Sequence, residues 1–253
     1  MGSKILSTMI SVTLMLFVAC SNQTLTKKSE SYPFQEEILE YIFSDSLRSD
    51  GTFPYYWPRV SKDTLDTLHL GTTTNIDYLG TRISAVRENR GTHCVGVTWQ
   101  VCMTTLQEWA GHQGQNAIYE MTVDDVRRFA DKWFIKLEDA NGLASLSTPE
   151  EMGAVHALTV YGLGRQVAFE EARPGDFVQF WRTDDSGHSC IFLNWVYDGA
   201  GEIVGFRYWG SQPQTNGIGT DTEYFVALLE AEPAQRLVNR KRFYVGRLAP
   251  ERD

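Results

Sequence analysis

Two side chains in this 253-residue chain are suited to covalent catalysis: a cysteine, Cys94, and a distant histidine, His188. Cys94 stands in Gly91-Thr92-His93-Cys94-Val95-Gly96-Val97-Thr98-Trp99, where a loop through Asn89 and Arg90 runs into an apolar pattern. Val95, Trp99, Cys102, Met103, Leu106, Trp109 and Ala110 recur at helical spacing, so a helix with one buried stripe is expected to start at the cysteine. The first turn of a helix carries unpaired N–H groups and the positive end of the dipole, which lower a thiol's pKa and favour the nucleophilic thiolate. The competing reading is a buried, inert cysteine, the usual fate of that residue. Gly96 costs about 1 kcal/mol against alanine inside a helix. Its presence implies a close approach of backbone or substrate beside the thiol.

A cysteine nucleophile needs a base, and the base needs a group that orients it. His188 is the candidate base. Pro174-Gly175-Asp176 turns into a strand, Phe177 to Trp181, and Gly187-His188-Ser189-Cys190-Ile191-Phe192 opens the next one. Alone, a histidine at a hairpin tip is an ordinary surface residue. With Asp198 to Gly201 as the following tip, residues whose numbers sum to about 400 face each other. That sets His188 opposite Gln212, or opposite Ser211 in a register one shorter. Opposed side chains share a face with Cβ atoms about 5 Å apart, close enough for the Gln212 carboxamide to accept a hydrogen bond from the imidazole. A bulge would shift the register and bring in Asn194, Gln214 or Asn216 instead. Cys190 shares a face with His188 and is expected to pack under the cysteine helix. His69, His112 and His156 have no chemical partner and read as structural. No metal-ligand spacing occurs, and no cofactor is expected.

The elements that must hold these groups follow from pattern. Pro33 to Leu47 reads as a helix, with Phe34, Ile38, Leu39, Ile42 and Phe43 as its apolar positions. The aromatic and proline-rich run Phe53 to Pro58 reads first as a loop packed over the core and second as a groove wall. Ser61 to Leu70 reads as a short helix and Thr72 to Arg90 as irregular. Thr122 to Leu137 is an amphipathic helix capped by Thr122, and Thr148 to Tyr161 is a further helix with Pro149 at its first position. Then the period changes. Val167 to Glu170, Asp176 to Arg182, Ser189 to Tyr197, Ile203 to Gly210 and Lys241 to Leu248 are strand-like, with turn signals between them. Asp221 to Arg242 reads as solvated surface. Helices followed by an antiparallel meander make an α+β plan.

The order of these pieces is similar to the NlpC-type and CHAP-type peptidoglycan cysteine peptidases and amidases. Their Asp-Cys-Ser-Gly-Leu, Pro-Gly-Asp-Leu-Val-Phe-Phe and His-Val-Gly-Ile-Tyr correspond to His93-Cys94-Val95-Gly96-Val97, Pro174-Gly175-Asp176-Phe177-Val178-Gln179-Phe180 and His188-Ser189-Cys190-Ile191-Phe192. The resemblance covers Tyr78 to Gln212. It implies a papain-like core with the nucleophile helix packed on an antiparallel sheet. It assigns Cys94 as nucleophile, His188 as base and Gln212 as the polar third residue; separately, the Cys94 backbone N–H is expected to contribute to an oxyanion hole. It implies an amide bond of peptidoglycan or a muropeptide as the substrate. Tyr78-Leu79-Gly80 loosely resembles an upstream loop whose tyrosine lies near the thiol in that family. The chain departs from the pattern at His93, Val95 and Cys190, and carries a long insertion between Gly111 and Arg173.

The N-terminus places this chemistry outside the cytoplasm. Lys4 precedes an apolar run, Ile5 to Ala19, shorter than the roughly 20 residues of a membrane helix. Phe17-Val18-Ala19-Cys20 resembles a bacterial lipobox, which implies lipidation of Cys20 and a membrane attachment, with Ser21 favouring the periplasmic face of an outer membrane. The expected organisation is a signal peptide at 1–19, a polar tether at 20–32, a helical extension at 33–70 and the catalytic domain at 71–250. A net charge of -9 without a basic cluster argues against nucleic acid as a partner. Four cysteines are too few for a disulfide framework in a chain this long, and removing Cys20 leaves Cys94, Cys102 and Cys190, an odd number. A non-catalytic envelope lipoprotein that uses the same shell for binding is the alternative function.

Overall fold

The computed structural model describes residues 33–57, 68–135, 150–225 and 237–250. They contain four α-helices: α1 (Phe34–Ile42), α2 (Cys94–His112), α3 (Val123–Trp133) and α4 (Ala154–Val160). They also contain eight strands: β1 (Ile76–Tyr78), β2 (Thr81–Ser84), β3 (Gly164–Val167), β4 (Phe177–Arg182), β5 (Gly187–Tyr197), β6 (Ile203–Gln212), β7 (Gly217–Tyr224) and β8 (Val238–Leu248). β1 and β2 form a separate hairpin, and the other six make one antiparallel sheet in the order β3-β8-β4-β5-β6-β7. The α+β expectation holds. The expected signal peptide, the expected lipidation site Cys20 and the expected tether fall outside the described residues, as does most of the expected helix at Ser61 to Leu70. Among the described residues no helix is long and apolar enough to cross a membrane.

The α2 helix begins at Cys94 as expected, but it does not bury a single stripe. Every residue from Cys94 to Met103 is buried, so this half of α2 is a central rod packed on all sides. α1 packs on it through Phe34, Ile38 and Ile42, which places the helical extension in the same core. Thr122 and Asp125 form a capping box that starts α3. The helix expected from Thr148 to Tyr161 is interrupted. A short 3-10 turn at Glu150–Met152 is followed by Gly153 at φ +47, and only then does α4 run. The irregular stretch expected at Thr72 to Arg90 contains the β1–β2 hairpin, turned by Leu79 and Gly80, both at positive φ. The surface expected at Asp221 to Arg242 overlaps two strands, the end of β7 and the start of β8.

The sheet separates two apolar clusters. On the α2 side lie Trp99, Leu106, Phe129, Trp133, Phe177, Ile191 and Trp209; on the other lie Val178, Phe180, Cys190, Phe192, Phe206, Tyr208 and Phe243. The second face is strongly concave. β6 and β8 stand three strand spacings apart, about 14 Å in a flat sheet, yet the Phe206 and Phe243 ring centroids are 4.8 Å apart. Arg182 of β4 likewise reaches Glu223 of β7 in a buried ion pair. The sheet therefore curls around its own aromatic core and offers its convex face to α2.

The Pro174-Gly175-Asp176 turn ties these layers together. Gly175 adopts φ +91 with the Gln35 backbone pressed against it, so α1 crosses the turn closely. The buried Asp176 carboxylate accepts from Arg247 of β8 at 2.7 and 2.9 Å and from the Arg173 amide at 2.8 Å.

Candidate active site

Cys94 is placed by an unusual helix start. His93 is the N-cap, and its Nδ1 accepts from the Gly96 amide at 3.3 Å, the role a carboxylate often fills at this position. Burial, reinforced by Arg87, pushes the His93 pKa down to about 3, so the ring is neutral and free to accept. Its ring makes edge-type contacts with Trp57 and Phe134, with centroids at 5.4 and 5.9 Å. The glycine at position 96 has the expected cause: the carbonyls of Leu70 and Gly71 lie where its Cβ would be.

Two further straps fix the cysteine loop. The Thr92 amide donates to Pro54 O and the Tyr56 amide donates to Thr92 O, both at 2.8 Å, so Tyr55 runs parallel to Thr92. Thr92 Oγ1 and Ser211 Oγ share a hydrogen bond of 2.8 Å. The aromatic loop is thus both things expected of it. Phe53 is buried in the core, while Tyr55 and Trp57 line a cavity. One turn into α2, Thr98 Oγ1 meets Ser189 Oγ at 3.0 Å and receives the Trp133 indole N–H at 3.3 Å, which docks the helix on β5.

Cys94, His188 and Gln212 all line that cavity, whose volume is about 410 Å³. Its walls include Tyr55, Trp57, Phe134, Ile135 and Trp181. The expected lowering of the thiol pKa is not found. Burial pushes the Cys94 thiol up, and the Ser189 and Val95 amides and Arg182 oppose the rise without cancelling it. Desolvation of a fully enclosed sulfur outweighs the helix terminus. His188 is held down to about 3, first by burial and then by Arg182, so its imidazole is neutral. The resting site pairs a thiol with a neutral ring.

Strand alternation puts His188 on the opposite face of β5 from Ser189, the residue that bonds α2. Ser189 points toward α2 and Ser211 toward the loop that enters it, as their bonds to Thr98 and Thr92 show. His188 leaves from the concave face, with its ring against Phe180 and Tyr208 at centroid distances of 5.5 and 5.4 Å. Cys190 follows it into the concave cluster, so the expectation that it packs under the helix is corrected. The contact between helix and histidine strand runs through the next residue: the Ser189 amide favours the Cys94 thiolate. No hydrogen bond joins Cys94 and His188 among the described residues, and His188 Nε2 is buried without a partner.

The pairing arithmetic for Gln212 is supported by the ladder, where Ile191 faces Trp209 and Phe192 faces Tyr208. Continued three residues further, that register sets His188 opposite Gln212. The expected orienting bond is nevertheless not formed. Gln212 Oε1 accepts from the Tyr208 hydroxyl, and Nε2 donates to Asp221 Oδ2 at 2.7 Å. Of the substitutes, Ser211 is spent on Thr92 and Asn194 is exposed and bonded to Trp195 O. Asn216 sits in the β6–β7 turn at φ +51, and Gln214 lines the cavity. Tyr78 is not beside the thiol; its hydroxyl donates to Met121 O and accepts from the Ile118 amide. The tyrosine of the cavity is Tyr55, whose only signal in the sequence is the aromatic density of its loop. Cys94, Cys102 and Cys190 are all free thiols.

Comparison with known protein families, characterised proteins and solved structures finds no match to this chain.

Proposed function

We propose that this protein is a thiol hydrolase of the cell envelope that cleaves an amide bond in peptidoglycan peptide, built on a papain-like core of the NlpC type. One observation carries the reading: a cysteine at a helix start and a histidine at a strand start line the same cavity, and the amide that follows the histidine faces the sulfur. The order of the Cys94, Pro174-Gly175-Asp176 and His188 segments behind an apolar N-terminal run adds support.

In this mechanism Cys94 Sγ attacks the substrate carbonyl while its proton passes to His188, which acts as general base from its neutral form. The two groups line one cavity, and the transfer takes place when the ring and the sulfur come within hydrogen-bond reach there. The Cys94 backbone N–H, which has no helical partner at the start of α2, donates to the developing oxyanion. Collapse breaks the C–N bond, the amine departs with the proton from His188, and water then hydrolyses the thioester. Lipidation at Cys20 tethers the enzyme to a membrane, on the periplasmic face of the outer membrane in a Gram-negative cell.

Digestion of purified peptidoglycan and defined muropeptides tests the reading. Cleavage by the native chain that disappears in a folded Cys94→Ala variant supports it; undiminished cleavage in that variant rejects it. Mass spectrometry of the mature protein tests the anchor, and an unmodified Cys20 removes it.

A second reading has its own observation. The raised thiol and the unpartnered His188 Nε2 describe a resting site without activation, as a binding shell that has lost its chemistry would have. A non-catalytic envelope lipoprotein then binds muropeptide in the same cavity. Muropeptide binding by calorimetry with no cleavage at any pH selects it.

A further inference from the structure

One face of β6 carries Tyr208, Gly210 and Gln212 in a row, and the His188 imidazole lies over the middle of it. A Cβ on Gly210 would stand 3.4 Å from His188 Nε2 and 3.6 Å from the Cβ of Cys190. The Tyr208 hydroxyl passes over this gap to bond Gln212 Oε1, its ring edge-on to the imidazole with centroids 5.4 Å apart. His188 Nε2 thus lies over this face of β6 without a partner, while the Gln212 carboxamide oxygen on the same face is held by a tyrosine.

We propose that Tyr208 is a positioning residue that holds the Gln212 carboxamide away from His188, and that releasing Gln212 from Tyr208 lets it orient the imidazole. This rests on the reading of Cys94 and His188 as the reacting pair. The charged group that acts on the ring is Arg182 of β4; its partner Glu223 of β7 acts on the neighbouring Cys190 thiol, and Asp221 of β7 is bonded to Gln212. Neither carboxylate is bonded to the ring. Gln212 is the neutral acceptor best placed to reach it, and a hydrogen bond from the imidazole N–H to an amide oxygen fixes one tautomer for catalysis.

The test is nitrogen-15 NMR of the His188 ring in the full chain without substrate, so that a failure of the hydrolase reading does not move the result. Tyr208→Phe removes only the competing hydroxyl. A new slowly exchanging ring N–H proton, shifted downfield, with iodoacetamide alkylation of Cys94 raised at least threefold, is the expected result. The double variant Tyr208→Phe, Gln212→Leu should lose both changes. Gln212→Leu alone provides an independent check, because it should leave the His188 ring resonances where they are in the native chain. A changed ring in Gln212→Leu, or an unchanged ring in a natively folded Tyr208→Phe, overturns the proposal.

Discussion

The carbonyl oxygen of Leu70 occupies the space that a Cβ on Gly96 would need, two residues into the helix that presents Cys94. The Gly71 carbonyl oxygen closes the same space at 2.6 Å. Two effects compete in Gly96→Ala. Alanine gains about 1 kcal/mol of helix propensity. Overpacking against rigid backbone costs about 1–3 kcal/mol or more, because no side chain can swing aside. The clash wins, and a net loss of up to about 2 kcal/mol is expected in urea denaturation. A variant more stable than the native chain would mean that the Leu70–Gly71 strap lifts freely from α2.

The enclosed thiol dictates a pH profile. Burial holds the Cys94 pKa above its ordinary value, so the thiolate fraction is small at neutral pH and grows about tenfold per unit as pH rises. Iodoacetamide alkylation of Cys94 should climb from about neutral pH to two units above it without a plateau. A plateau on the acid side of neutrality would reveal a thiolate–imidazolium pair already formed at rest, against the neutral ring of the resting site.

Acid should destabilise the fold through two histidines. Burial depresses the folded-state pKa of both His93 and His188 to about 3, while an unfolded histidine titrates near 6.5. Between those values the unfolded chain binds the proton and the folded chain does not. Stability is therefore complete above about pH 6.5 and falls as pH drops toward 3, by roughly 1.4 kcal/mol per unit for each ring. His188→Gln should remove about half of that histidine slope in urea denaturation at a series of pH values below 6.5. An unchanged slope would show that the ring is charged in the folded state.

Asp176 in the Pro-Gly-Asp turn is predicted to matter for the fold before it matters for chemistry. Its carboxylate is fully buried and paired with Arg247, so Asp176→Ala leaves a largely buried guanidinium without its partner. A loss of about 3–5 kcal/mol is expected. The Asp176–Arg247 pair touches neither Cys94 nor His188, so a thermal melt is the measurement. A shift of less than a few degrees would contradict the assigned role.

Local patterns that rest on one element were legible in the sequence. The helix start at Cys94, the Thr122 cap and the α+β order are set by spacing or by turn residues close in the chain, whereas the β5–β6 register near His188 agrees with the hairpin sum only because two irregularities in the ladder cancel. What spacing could not reveal was the face of the sheet on which α2 lies. That choice depends on the curl of six strands around Phe180, Phe206 and Phe243, a long-range packing event. It turns His188 and Cys190 away from the helix and leaves Ser189 beside the sulfur. β7 was missed because Gly217-Ile218-Gly219-Thr220-Asp221-Thr222-Glu223-Tyr224 has few apolar residues, its acids being spent on Arg182 and Gln212. The thiol's direction of shift was missed for a related reason: a helix start is visible in sequence, whereas complete enclosure of the sulfur is not.

The gap at Gly210 offers a direct measure of the unpartnered imidazole. Gly210 is buried in β6 and is not at positive φ, so an L side chain fits the backbone, and its nearest neighbours stand at ordinary contact distance. Gly210→Ala should gain about 0.5–1 kcal/mol from reduced chain entropy in a strand interior. Gly210→Ser has the same gain and adds a hydroxyl within reach of His188 Nε2, which satisfies a buried polar atom for about a further 1 kcal/mol. The difference between the two variants isolates the hydrogen bond from the backbone effect. Serine should therefore melt higher than alanine, and both higher than the native chain. If serine melts at or below alanine, Nε2 is already satisfied or out of reach, and the imidazole does not sit over Gly210 in solution.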